Sequence, residues 1–245
     1  MKGFILMLTF MTRFPVNYYF EFNRSDFIKG IKYMPIIGLI VGACLYPITF
    51  INGKVDPSVF AILVLMVYLM ITGGLHLDGL ADVSDGLLSC RDKERMFEIM
   101  KDSRIGAFGV IALIFYFISM TVLLGLSEAT TILLFPLVGR SIAMMVCSVS
   151  KYARLAGLGK DVVDETTYRH GIGAALFVIL MIIGLKQYIL LGGFVITSII
   201  VGCLVRSIHK KLDGITGDVV GMTIESSQVI FLLSTYLLNQ LMMVQ

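Results

Sequence analysis

Residues 58–76 read SVFAILVLMVYLMITGGLH and run directly into residues 77–86, LDGLADVSDG. The first part carries no acidic or basic residue except His76 at its end. An α-helix needs about 20 apolar residues to cross the hydrocarbon core of a bilayer, and this stretch meets that length. The second part brings three aspartates within a few residues of the apolar run. Together they read as a membrane helix that delivers a carboxylate-rich segment to the membrane boundary.

The rest of the chain follows the same pattern. Of its 245 residues, 57% are hydrophobic and only 15% are charged, with a mean hydropathy of +0.89. Soluble domains carry about 25% charged residues, so lipid must be the solvent for most of this surface. Seven apolar stretches stand out, at 34–51, 58–76, 107–126, 130–149, 171–185, 188–205 and 229–244. The fifth and seventh are short for a span. The expectation is an all-α, polytopic helical membrane protein with about seven transmembrane helices (five to seven), forming one membrane domain over residues 1–245. No internal repeat or low-complexity linker divides the chain. The apolar Gly3–Met11 run lacks a small-residue cleavage site, and Arg13-Phe14-Pro15 interrupts it, so it reads as a retained short interfacial or re-entrant helix.

The net charge is +3, and its distribution says more than its size. With the segment after the second stretch placed in the cytoplasm, every basic residue except Lys54, Lys186 and Arg140 falls on that side. This is the positive-inside pattern, and it predicts a multi-pass protein of the cell (inner) membrane with its polar segments cytoplasmic. No basic stripe with interleaved aromatics points to nucleic acid. Cys44, Cys90, Cys147 and Cys203 are scattered without a CxxC pair, which predicts small buried residues rather than zinc ligands or disulfides.

Asp78, Asp82 and Asp85 are spaced i, i+4 and i+7, so on a helix they share an arc of about 60°. Three carboxylates on one stripe repel one another unless a cation neutralises them. Mg²⁺ (or Mn²⁺) takes oxygen ligands, commonly one or two carboxylates plus substrate phosphate. Gly79 and Gly86 remove bulk beside the stripe. An acidic, solvated helix end is the plainer alternative. His76 points about 160° away from Asp78 on such a helix, which suits packing or substrate contact better than metal ligation. Lys101 and Arg104 precede the 107–126 stretch, where Asp102 or Ser103 is expected as the cap and the helix start as a phosphate site. In the 213–221 cluster, Gly214, Gly217 and Gly221 permit tight turns beside Thr216, and Asp218 is a candidate further metal ligand. Arg140 sits inside an apolar run, where a charge is expensive and usually functional; pairing with an aspartate or holding a phosphate would explain it.

Residues 74–82 (GLHLDGLAD), Asp85-Gly86, residues 100–109 (MKDSRIGAFG) and residues 214–218 (GITGD) strongly resemble the cobalamin-5′-phosphate synthase family, also called adenosylcobinamide-GDP ribazoletransferase. Residues 10–15 (FMTRFP) and 35–39 (PIIGL) agree as well. The resemblance implies a Mg²⁺-dependent membrane enzyme of vitamin B12 synthesis. It would join adenosylcobinamide-GDP to α-ribazole, or its 5′-phosphate, and release GMP. It further implies Asp78, Asp82, Asp85 and Asp218 as metal ligands, and Asp82, Asp85, Lys101 and Arg104 as catalytic. His76, Arg140, Gly214, Thr216 and Gly217 are then expected to bind substrate. The corrinoid-GDP, α-ribazole and membrane lipid are the expected partners, and a homo-oligomer is allowed. Asp213 departs from the family pattern, where a small or apolar residue is expected. Two rivals remain open on the residues alone: a CDP-alcohol-type phosphotransferase, and a cation-coupled transporter with carboxylates deep in its spans.

Overall fold

Each of the seven apolar stretches becomes a helix, because in lipid only intra-helical hydrogen bonds can satisfy the backbone. The computed structural model describes residues 1–16, 21–157 and 159–243. In chain order the helices are α1 (Lys2–Met11), α2 (Arg24–Gly30), α3 (Met34–Leu45), α4 (Pro57–Thr72), α5 (Leu75–Leu88) and α6 (Lys93–Ile99). They continue as α7 (Ala107–Gly125), α8 (Ala129–Cys147), α9 (Lys160–Asp164), α10 (Tyr168–Gly184), α11 (Ile189–Leu212) and α12 (Gly217–Met243). Among the described residues the only β-type pairing is an isolated parallel bridge between Tyr152 and Ile215. The chain is thus an all-α, polytopic membrane protein.

The span count differs from expectation. Four segments, Arg24–Ile51, α7, α8 and α11, are long and apolar enough to cross a bilayer, and α4 with α5 makes a fifth if the bent pair counts as one. About seven spans is therefore not confirmed. α10 is 17 residues long. α12 starts at Gly217, well before the apolar stretch expected at 229, and its first half carries Asp218, Glu225 and Gln228, which dilute its hydropathy.

α8 is the central helix, with α3, α10 and α12 packed around it. α3 reaches it closely because Gly38 and Gly42 form a small-xxx-small face. A Cβ on Gly38 would lie 2.5 Å from the Pro136 carbonyl oxygen, and one on Gly42 would collide with that of Leu133. On α7 the exposed side is Ile111, Ile114, Phe115, Ile118 and Val122, the apolar face a lipid-contacting helix presents. The cysteine expectation is corrected here: only Cys147 is buried, while Cys44, Cys90 and Cys203 are exposed. Cys44 and Cys203 lie in apolar helices, where a small thiol costs little against lipid, and Cys90 lies in the turn after α5.

Two features place the polar residues. Gly73 and Gly74 both adopt left-handed backbone (φ 67° and 66°), a conformation that favours glycine, and α4 and α5 consequently meet at a 94° bend. α5 therefore runs across the bundle instead of continuing the α4 span. The segment after α8 is stitched to the start of α12: Ala153 N–H donates to the Ile215 carbonyl and Ile215 N–H to that of Lys151, both at 2.9 Å. Asp213 ends α11 in left-handed conformation (φ 57°). Its carboxylate meets Lys151 at 2.6 Å and Lys93 at 3.8 Å, so this departure from the family pattern ties neighbouring segments together.

Candidate active site

α5 and α12 lie against each other with almost no space between backbones. A Cβ on Gly79 would sit 2.5 Å from the Asp218 carbonyl oxygen, so glycine there lets the Asp78–Asp82 turn approach the first turn of α12. Thr216, fully buried, accepts from Val219 N–H (3.3 Å) and donates to Asp218 Oδ2 (3.2 Å). It caps α12 and holds the Asp218 carboxylate in one stroke. Gly217 lines the adjoining cavity, and Gly214 packs beneath the 151–153 backbone, where a Cβ would come within 2.7 Å of the Lys151 carbonyl oxygen.

The cavity between these elements, about 310 Å³, is bordered by His76, Asp78, Tyr152, Arg154, Gly159 and Asp218 among others. Arg154 Nη1 lies 3.1 Å from Asp218 Oδ2, its guanidinium stacks 5.1 Å from the Phe97 ring centroid, and its Nε and Nη2 are buried without protein partners. A second cavity, about 460 Å³, is bordered by Asp78, Asp82, Lys101, Asp102 and Ser103 among others. Among the described residues Asp78 is the one that lines both. Neighbouring carboxylates act on one another here. Burial, followed by the charges of Asp78, Asp218 and Asp85, pushes the Asp82 carboxyl up to about 7, and Arg154 only partly opposes this.

Asp85 has a different environment. It is buried, and its Oδ2 and Oδ1 accept the backbone N–H groups of Gly106 (2.7 Å) and Gly109 (2.9 Å). It therefore caps α7 from a distance, a role expected of Asp102 or Ser103. Asp102 instead binds Arg104 through the backbone N–H (3.0 Å) and guanidinium (2.7 Å), which holds its carboxyl down at about 2. Arg104 is thus exposed and already paired, whereas Lys101 borders the second cavity. Among the described residues no three His, Cys, Asp or Glu side chains stand close enough together to hold one ion.

Arg140 is fully buried on α8, outside both cavities. Its Nη1 donates to the Pro136 carbonyl at 3.4 Å, and its Nε and Nη2 have no partner. His76 borders the first cavity with Nδ1 3.6 Å from Glu225 Oε1. Glu225, Arg154, Tyr152, Tyr68 and Tyr116 were not singled out by sequence reasoning. Glu225 escaped because the last span was started at residue 229; an acid within an extended apolar helix was the available signal.

A family model described as cobalamin-5-phosphate synthase matches residues 3–236. The chain belongs to this family. It is 41% identical to the adenosylcobinamide-GDP ribazoletransferase of Alkaliphilus oremlandii, over 98% of this chain and 99% of that relative. It is 38% identical to that of Clostridium acetobutylicum, covering 96% of each, and 32% identical to that of Clostridioides difficile, over 97% of this chain and 98% of the relative. No solved structure matches it. Membership of the cobalamin-5-phosphate synthase family makes the chain a transferase of cobalamin synthesis, and the transporter and CDP-alcohol readings fall away.

Proposed function

We propose that the chain joins adenosylcobinamide-GDP to α-ribazole, or its 5′-phosphate, with loss of GMP, at the paired cavities around Asp78. The observation that carries this reading is that Asp78 of α5 lines both cavities, with Asp82 in one and Asp218 of α12 beside the partly unpaired guanidinium of Arg154 in the other. Family membership supports the reaction, and the site chemistry supports its location.

The carboxylates suit Mg²⁺ or Mn²⁺. They are oxygen donors, and the Asp82 carboxyl, raised to about 7 by burial and its acidic neighbours, is relieved by a nearby cation. The wide spacing of the set fits Mg²⁺, which commonly uses one or two carboxylates together with substrate phosphate. One or two of Asp78, Asp82 and Asp218 would hold it together with substrate phosphate, and such an ion would supply Lewis acidity to the diphosphate. Arg154 and Lys101 flank the two cavities and offset phosphate charge. Asp85, with both oxygens accepting from α7, is assigned to holding the Gly106–Gly109 backbone rather than to moving a proton. Gly217 and Thr216 shape the wall and steady Asp218. Arg104, exposed and paired with Asp102, is left to attract anions to the entrance, and Arg140 to the interior of the bundle. The distribution of the basic residues supports a cytoplasmic position for this face, at the inner membrane, by the positive-inside rule.

The test is GMP release from adenosylcobinamide-GDP in purified membranes, with and without α-ribazole and Mg²⁺. Release that requires all three components is expected. No release, or full turnover in D78N and D82N at normal abundance, would overturn the reading or its metal assignment respectively.

A further inference from the structure

His76 joins the first cavity to a buried polar network that the proposed reaction does not use. Four helices supply it: Tyr68 from α4, His76 from α5, Tyr116 from α7, and Glu225 with Gln228 from α12. Glu225 is 1% exposed. Tyr68 Oη donates to its Oε1 at 2.8 Å and Tyr116 Oη to its Oε2 at 2.5 Å, while Gln228 Nε2 donates to Tyr68 Oη at 2.9 Å. Two phenols thus clamp the carboxylate in a single orientation. A carboxylate in the interior of a membrane protein is costly to bury and is usually retained for function. Arg140 on α8, also fully buried, offsets it in sign.

The remaining neighbour of the carboxylate is His76. Its Nδ1 is buried, has no hydrogen-bond partner, and lies 3.6 Å from Glu225 Oε1. The backbones allow little other freedom, because a Cβ on Gly221 of α12 would already stand 3.3 Å from His76 Cα. His76 borders the cavity that is also lined by Asp78, Arg154 and Asp218. Catalytic hydrogen bonds are often long before substrate binds. A small rotation closes the 3.6 Å gap, and an acceptor-only carboxylate then requires the proton on Nδ1. Nε2 is left with its lone pair.

We propose that Glu225 is a positioning residue for His76: clamped by Tyr68 and Tyr116, it holds the Nδ1–H tautomer, so that Nε2 accepts a hydrogen bond from the attacking ribose hydroxyl of α-ribazole. This rests on the reading given under Proposed function, and it assigns the acceptor to the His76 side of the site. Polar side chains between membrane helices also act as packing glue, and that role alone would weaken both substrates equally.

The experiment measures both KM values in membranes carrying E225Q, H76N and the double variant. E225Q removes the carboxylate charge that holds the proton on Nδ1; H76N lacks Nε2. Each is expected to raise the KM for α-ribazole about tenfold, the worth of one hydrogen bond, with that for adenosylcobinamide-GDP within about twofold. The double variant is expected to be no worse than H76N, because Glu225 acts through His76. Effects that multiply, or an equal rise in both KM values, overturn the proposal. E225D, which keeps the charge but withdraws it from Nδ1, gives the same pattern if E225Q does not accumulate. Wild-type membranes that release no GMP would sink the functional reading instead. Carbethoxylation of the purified chain by diethyl pyrocarbonate, followed by mass spectrometry, then decides the geometry. E225Q is expected to change the rate at His76 severalfold while His170 and His209 keep theirs, and an unchanged His76 rate overturns the inference.

Discussion

Asp82 and Asp85 lie less than one turn apart on the same helix, yet they meet opposite surroundings. Asp85 faces the N-terminus of α7, where two backbone N–H groups satisfy it. Burial, followed by the charges of three other carboxylates, raises the Asp82 carboxyl to about 7. A buried carboxylate with directed donors is a structural cap; one whose like-charged neighbours outweigh the single guanidinium near it calls for a cation. Helical spacing put both on one stripe, and the neighbour across the interface separated their roles.

The largest effect expected from this contrast is on turnover. D82A should lower GMP release by on the order of 10³-fold, the scale of losing metal-based charge stabilisation, while membrane abundance stays at the wild-type level. Near-normal release would erase the distinction. Arg154→Ala should cost about 100-fold in kcat/KM, comparable to removing one preorganised charge donor; a loss below threefold would remove Arg154 from the phosphate site. Asp85→Ala acts elsewhere, leaving the Gly106 and Gly109 N–H groups without acceptors. It should cost about 2 kcal/mol, read as a lower Tm in detergent, and a stability equal to wild type would break the cap assignment.

The smallest effect is the pH dependence of stability without divalent ions. The folded-state Asp82 carboxyl, at about 7, stands above the ordinary 3.8. The folded chain therefore holds a proton that the unfolded chain releases between about pH 4 and 7, and stability falls as pH rises through that window. In chelator, wild-type Tm should drop from pH 5 to pH 8 more than that of D82N. Parallel curves for the two proteins would show that Asp82 is not under charge stress.

Much of the architecture was legible along the chain. Apolar run lengths marked the helices, because a backbone in lipid has few alternatives to helix, and the aspartate spacing marked α5 as the chemical element. The extent of α12 was not legible in the same way. Glu225 and Gln228 interrupt its hydropathy, and only Tyr68 and Tyr116, more than 100 residues away in sequence, make such residues tolerable inside a bundle. Arg154 likewise read as one more positive-inside charge until the Tyr152–Ile215 bridge placed it beside Asp218.

Sequence by itself determined the solvent, the helical class and the carboxylate stripe, since these depend on composition and on a period of 3.6 residues that local chemistry imposes. Tertiary structure alone decided which carboxylate caps a helix, which ones crowd one another, and which acid stands behind His76. Each of those outcomes depends on a donor or a like charge brought from another helix, and no local pattern encodes that distance.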